Sequence, residues 1–215
     1  MLKLHYHPGN ASLTPHMLLE ELGVPFQLEL VDRAKAAHKS PEYLKLNPNG
    51  LIPVLVDGDL VLYETAAICL HLADTHPQAK LAPPLATPER AHFYKRLIWL
   101  TNTMQAMLIH YFYGERIVDE GNPQATAQVK AHAESKVGAM LDQLDAELAG
   151  HGQPWLLGAA YSAVDPYALM LCRWTRGFKR PARSLPHLGP YLQRVLERPA
   201  VQRAFDREGL ALPRV

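Results

Sequence analysis

The sequence predicts a small α/β domain followed by an all-helical one. Three observations carry that reading. The first ~80 residues alternate short strand-like and helix-like runs in the order β-α-β, then β-β-α. A cluster of prolines follows, at Pro77, Pro83, Pro84 and Pro88. Beyond it, apolar residues recur at helical spacing over long stretches.

Taken in order, Leu2-Lys3-Leu4-His5-Tyr6 alternates apolar and polar residues and stops at Pro8-Gly9, which reads as a first strand. Thr14-Pro15 opens a helical pattern through Met17, Leu18 and Leu22, with Gly23 and Pro25 as its stop signals. Phe26–Leu30 alternates again. Ile52–Val56 and Leu60–Leu62 are apolar runs joined by Asp57-Gly58-Asp59, a tight hairpin signal. A helix from Glu64 through Leu72 closes the unit. The proline-rich segment 78–88 reads as a stiff linker, giving expected domains 1–77 and 89–215. In the second, Phe93, Leu97, Leu100, Met104 and Leu108 share one helical face. Val129, Ala133, Val137, Met140, Leu141, Leu144 and Leu148 share another. A third helix is expected over 163–178, with shorter ones after Pro186 and Pro199.

Composition narrows the function. Of 215 residues, 48% are hydrophobic and 20% charged, enough to bury a real core. Lys plus Arg is 22 against Asp plus Glu at 21, so no basic surface points to nucleic acid or an acidic membrane. The longest apolar runs, such as Tyr167–Cys172, fall far short of a membrane span. No signal-peptide core precedes Pro8, and the two cysteines, Cys69 and Cys172, lack CxxC spacing; a reducing cytoplasm is expected. His5 and His7 share a strand face, yet no third ligand or HExxH accompanies them, so no metal is expected. There is no Walker or GxGxxG loop, and Ser12 lacks a GxSxG setting.

Four motifs remain: Tyr6-His7-Pro8-Gly9-Asn10-Ala11-Ser12-Leu13-Thr14-Pro15-His16, Asn47-Pro48-Asn49-Gly50-Leu51-Ile52-Pro53-Val54-Leu55, Leu62-Tyr63-Glu64-Thr65-Ala66-Ala67-Ile68, and Ser162-Ala163-Val164-Asp165. In this order and spacing the chain resembles a cytosolic glutathione transferase, and its N-terminal motif resembles the bacterial beta class. The resemblance covers nearly the whole chain. It implies a thioredoxin-like first domain with an extra helix near Glu42–Leu44, glutathione as co-substrate, a small electrophilic or disulfide second substrate, and a homodimer.

The implied site has a physical reading residue by residue. A cis Ile52-Pro53 bond would turn the Ile52 backbone outward to pair with the cysteinyl unit of glutathione; the plainer reading is a turn proline. At the opening of the following helix, the amide and hydroxyl of Thr65 would hold the γ-glutamyl carboxylate and Glu64 its ammonium, although a bare helix cap has the same look. Lys35, His38, Lys39 or Asn49 would meet the glycine carboxylate. The position aligned with the beta-class cysteine is Ala11, so a cysteine mechanism is unsupported there. Ser12 leads as the group holding the thiolate, aided by Tyr6 or Asn10; alternatively Ser12 caps the helix and Asn10 serves the turn.

Lowering a thiol pKa of about 8.5 by two units takes roughly 2.7 kcal/mol, within reach of one hydroxyl and helix amides. A Brønsted slope of about 0.45 leaves a net gain of only about threefold, so positioning of the electrophile must supply more. The second substrate would meet His110, Tyr111, Tyr113 and Arg116, an aromatic and basic run suited to an apolar or anionic partner, or simply a packed helix end. Two other readings of the same chain are a glutathione-dependent disulfide reductase similar to cysteine-free nu-class members, and a non-catalytic binding module on the same fold.

Overall fold

The computed structural model describes residues 1–215. It divides into two compact units, Met1–Pro83 with Val195–Arg214, and Pro84–Arg194 with Val215. The expected boundary lies in the proline-rich segment, but the C-terminal residues group with the α/β unit and not with the helical one. The sequence shows no sign of that, because a short amphipathic helix carries no label for the surface it will cover.

The first unit is built on a four-stranded mixed sheet of order β2-β1-β3-β4. Strand β1 (Leu2–Tyr6) pairs in parallel with β2 (Phe26–Leu30) and antiparallel with β3 (Val54–Asp57), which pairs antiparallel with β4 (Leu60–Tyr63). Leu2 and Leu4 are buried while Lys3 between them is exposed, the alternation a one-sided strand requires. Helices α1 (Leu13–Leu22), α2 (Pro41–Leu46) and α3 (Thr65–Thr75) complete the thioredoxin-like pattern. Leu13, Met17, Leu18, Leu55, Ile68 and Leu72 are fully buried in its core. The chain's last helix, α9 (Pro199–Arg207), lies along α1 and buries Ala200, Val201, Ala204 and Phe205. Ion pairs fasten the two helices. Glu20 of α1 receives Arg203 and Arg207 at 2.7 Å each, and Arg198 Nη2 is 2.8 Å from Glu21 Oε2. Burial alone would raise the Glu20 carboxyl, but the two guanidinium groups outweigh it and hold the pKa down.

The second unit is helical. The predicted helix through Phe93 and Leu108 is interrupted: α4 (Pro88–Ile98) and α5 (Ala106–Phe112) flank a π-helical stretch at Trp99–Gln105. All five predicted positions of its apolar face are nonetheless buried. A wider turn absorbs extra residues without rotating the face out of the core. Helix α6 (Pro123–His151) buries Ala133, Val137, Leu141, Leu144 and Leu148. Helix α7 (Val164–Trp174) is buried through Arg173 and forms the centre of the unit. Its Asp165 accepts from the Ser162 amide at 2.8 Å, the Leu156 amide at 3.0 Å and the Tyr191 hydroxyl at 2.8 Å. Helix α8 (Leu188–Leu196) follows. No helix is long and apolar enough to cross a membrane.

Candidate functional site

Sheet register gathers three of the four motifs at one end of the first unit. His5 pairs with Val54, and Val54 pairs with Tyr63. The loop after β1, the Ile52-Pro53 step into β3, and Glu64-Thr65 leaving β4 therefore share an edge. The Ile52-Pro53 peptide is cis. Ile52 precedes the paired residues of β3, so its backbone donor and acceptor are not consumed by the ladder.

The turn leading into Pro53 is held by buried polar groups. Tyr43 donates from its hydroxyl to the Leu51 carbonyl at 2.8 Å, and the Asn47 side-chain amide donates to the same oxygen at 2.9 Å. The Asn47 side-chain oxygen accepts from the Asn49 amide at 3.0 Å. Gly50 has a φ of +60°, and a Cβ there would stand 2.9 Å from the His38 carbonyl oxygen and 2.8 Å from Lys39 Nζ. Only glycine lets this loop lie against residues 38–39. Lys39 is thereby brought over the turn before Ile52. Lys35 is not: it is 84% exposed and pairs with Asp32 at 3.5 Å. His38 is half-buried and Asn49 exposed on the same two loops.

Glu64, not Thr65, is the cap of α3, with φ 72° and ψ 112°, and Thr65 is the first helical residue. The Glu64 side chain makes no capping bond and is exposed, and the first amides of α3 open toward the same edge. A non-glycine residue in this conformation is strained backbone, of the kind that clusters at functional sites.

The loop after β1 departs most from expectation. Ser12 is 0% exposed, donates to the His7 carbonyl at 3.1 Å and accepts from the His7 amide at 3.2 Å. Its single proton is committed inside the loop, so it is not placed to hold a thiolate, and it makes no side-chain cap for α1. Within the loop, Ser12 staples the two backbone groups of His7. Asn10 accepts from the Ala11 amide at 2.6 Å and is half-buried, as is Tyr6, whose ring lies edge-on to His16 at 6.2 Å. His5 meets Tyr43 edge-on and the His7 Nδ1 is 3.0 Å from the Val31 carbonyl, so the two histidines face different neighbours. Cys69 and Cys172 are buried, and burial pushes both thiols up, Cys172 to about 12. Neither is a nucleophile.

Two contacts to this loop come from the far end of the chain. The Gly9 amide donates to Glu208 Oε2 at 2.8 Å, and His16 Nδ1 is 2.8 Å from Glu208 Oε1. Gly9, His16, Asn47 and Gly50 stand inside quoted motifs that gave them no role, whereas Glu208 has no local signal.

In the second unit, His110 lines a cavity of about 320 Å³ with Met107, Ile117, Gln128, Val129 and His132. Tyr111 packs elsewhere, 4.5 Å from the Phe178 ring centroid with Lys130 Nζ at 4.9 Å. Arg116 stacks on Tyr113 at 3.9 Å. The four residues expected to line one pocket thus serve a cavity, an aromatic cluster and a stacked pair.

The chain is similar to known proteins along its whole length. Residues 11–75 match the family model for the glutathione S-transferase N-terminal domain, and residues 101–199 match that for its C-terminal domain. The glutathione S-transferase GstA of Escherichia coli O157:H7 is 31% identical over 211 residues, covering 97% of this chain and 100% of that one. A glutathione transferase homologue from Sulfitobacter with bound glutathione superposes with a TM-score of 0.87 at 28% identity, over 98% of this chain and 99% of that one. A beta-class glutathione S-transferase of Sphingomonas chungbukensis gives 0.83 at 31%, over 97% and 100%. With both domain models matched in order and relatives aligned along their whole length, the chain belongs to the cytosolic glutathione S-transferase family of enzymes.

Proposed function

We propose that this chain binds glutathione at the shared edge of the sheet and transfers it to a small electrophile. The observation that carries this reading is the register of His5, Val54 and Tyr63, which brings three chemically distinct donor sets together. The Ile52 backbone would pair with the cysteinyl unit. The Thr65 amide would hold the γ-glutamyl carboxylate and the exposed Glu64 its ammonium. Lys39, with Asn49 and His38 beside it, would meet the glycine carboxylate.

The sulfur would then lie over the loop at Asn10 and Ala11. With alanine at the beta-class cysteine position and Ser12 turned inward, the groups left to stabilise it are the Asn10 side chain and the Tyr6 hydroxyl. Such a site gains little from thiol activation, about threefold for a two-unit shift, and works chiefly by positioning. Within the second unit, His110 lines an apolar cavity of a kind that would take an uncharged electrophile. A cytoplasmic homodimer on the family pattern belongs to the same proposal; light scattering in solution tests the dimer.

Calorimetry with glutathione, joined to ultraviolet titration of the bound thiol, tests the core of the reading. Saturable binding with a lowered thiol pKa is expected, and no binding overturns it. Turnover of an aryl halide above that of a disulfide is expected; the reverse preference assigns the chain to disulfide reduction.

A further inference from the structure

We propose that Tyr167 and Gln105 form a latch that holds the π-helical stretch in the second unit and so fixes which side of α5 lines the cavity at His110. The pair is thereby a positioning device for the small uncharged electrophile that the proposed function brings to that cavity. The ligand half rests on that reading; the latch itself does not. Tyr167 stands in α7, the buried centre of the unit, and is 0% exposed. Its hydroxyl donates to Gln105 Oε1 at 2.6 Å, across 62 residues of chain. A phenylalanine would fill the same space without a polar group to satisfy. What the hydroxyl adds is hydrogen bonding, and its acceptor is the last residue of the π-helical stretch Trp99–Gln105.

A wide turn is rare, and it persists where contacts outside the helix hold it. This one is pinned at both ends. At its start the Arg96 guanidinium, ion-paired with Glu147 of α6, lies 4.9 Å from the Trp99 ring centroid. At its end Gln105 takes the Tyr167 hydroxyl, and Leu100 and Met104 between them are fully buried. Further along, Phe112 meets Trp174 edge-on at 6.2 Å. Phe112 follows Gln105 by seven residues, and Trp174 follows Tyr167 by seven. Seven residues are about two α-turns, so α5 is held against α7 at two points on one side.

The opposite side of α5 faces the cavity. At about 100° per residue, Met107 and His110 point away from Gln105 and Phe112. They line the cavity with Ile117, Gln128, Val129 and His132, a set without carboxylate, lysine or arginine. One extra residue turns everything beyond it in a helix by about 100°. Relaxing the stretch to α spacing would therefore carry Met107 and His110 off the cavity. The latch to α7 thus decides what α5 presents to α6.

The test compares wild type, Tyr167→Phe, Gln105→Met and Gln105→Glu, the last keeping an acceptor oxygen. Amide hydrogen exchange across residues 103–110 is expected to run about fivefold faster in Tyr167→Phe and Gln105→Met, the worth of one hydrogen bond, and near wild type in Gln105→Glu. In turnover of chlorodinitrobenzene with glutathione, the same two variants should raise the KM for chlorodinitrobenzene by about three- to fivefold and leave the KM for glutathione unchanged. A merely structural loss would not split the two.

Unchanged exchange in both variants overturns the latch. Faster exchange with an unchanged KM for chlorodinitrobenzene, or with both KM values raised alike, overturns the positioning role. If wild type turns over no chlorodinitrobenzene, the electrophile reading fails and the ligand half with it, while the exchange comparison still decides the latch. Should Gln105→Met not fold, Tyr167→Phe, which keeps the ring, carries the test with the same expected outcomes.

Discussion

Two buried carboxylates, Asp165 in the helical unit and Glu208 in the α/β unit, do similar work by different means. Asp165 gathers neutral donors: two backbone amides from the segment just before it, three and nine residues away, and one tyrosine hydroxyl. Glu208 joins an amide 199 residues away to an imidazole 192 residues away. The first is a local device, a helix start closing on itself. The second is a clasp between chain ends. Local devices can be read from spacing, since helix geometry alone brings Asp165 to the Ser162 amide. A clasp between chain ends has no spacing to read.

The largest expected effect breaks the local device. Asp165→Ala leaves two buried amides and a buried hydroxyl unpaired, and should cost about 3–5 kcal/mol in urea unfolding. Asp165→Asn keeps the shape and part of the bonding, and should cost less.

Next comes the pH dependence of the same residue. Burial pushes the Asp165 carboxyl up to about 6, against the pull of its hydrogen bonds. A folded-state pKa above the unfolded 3.8 means that the folded protein holds the proton more tightly. Its contribution is complete below the unfolded pKa and is lost as pH rises through about 6. The two-unit difference corresponds to about 3 kcal/mol, so wild-type stability should fall from pH 4 to 7 relative to Asp165→Asn. Parallel profiles for the two proteins would show that Asp165 is ionised throughout.

Gly50 sharpens the contrast inside the candidate site, since it sits in a motif yet works through a distant loop. Gly50→Ala must accept a left-handed φ and a Cβ 2.9 Å from the His38 carbonyl. A loss of about 2 kcal/mol is expected, with weaker glutathione binding by calorimetry. Ser12→Ala should cost about 1–2 kcal/mol by freeing both His7 backbone groups, while the bound thiol pKa stays put. A raised pKa would return the hydroxyl to the sulfur.

The smallest effect separates two lysines. Lys39→Ala should weaken glutathione binding by roughly two- to fivefold, the worth of an exposed ion pair, and Lys35→Ala should not change it. Equal losses would mean that the loop's net charge, not its geometry, attracts the ligand.

Much of the fold was legible. Strand alternation at Leu2–Tyr6, the hairpin at Asp57-Gly58-Asp59 and the apolar faces around Phe93 and Val137 are periodic, and periodicity follows from backbone geometry. The π-helical turn at Trp99–Gln105 was not, because helical spacing of apolar residues tolerates an inserted position while the buried face is kept. Among the site residues, Ile52-Pro53 and Glu64-Thr65 were visible as motifs, although Thr65 was mistaken for the cap that Glu64 provides. The burial of Ser12 was not legible, because a junction between strand and helix does not reveal which way a small side chain turns.

By itself, then, the sequence determined the order of elements, the two-part architecture and the motifs that mark the family. Those properties depend on near neighbours and on the repeat of the backbone. Tertiary structure decided which hydroxyl is spent on the loop, which lysine reaches the turn, and that the C-terminal helix clasps the first domain. Each of these depends on donors and acceptors that meet only after distant segments pack. A buried polar group must find its partner wherever the fold brings one, and sequence distance has no bearing on which one that is.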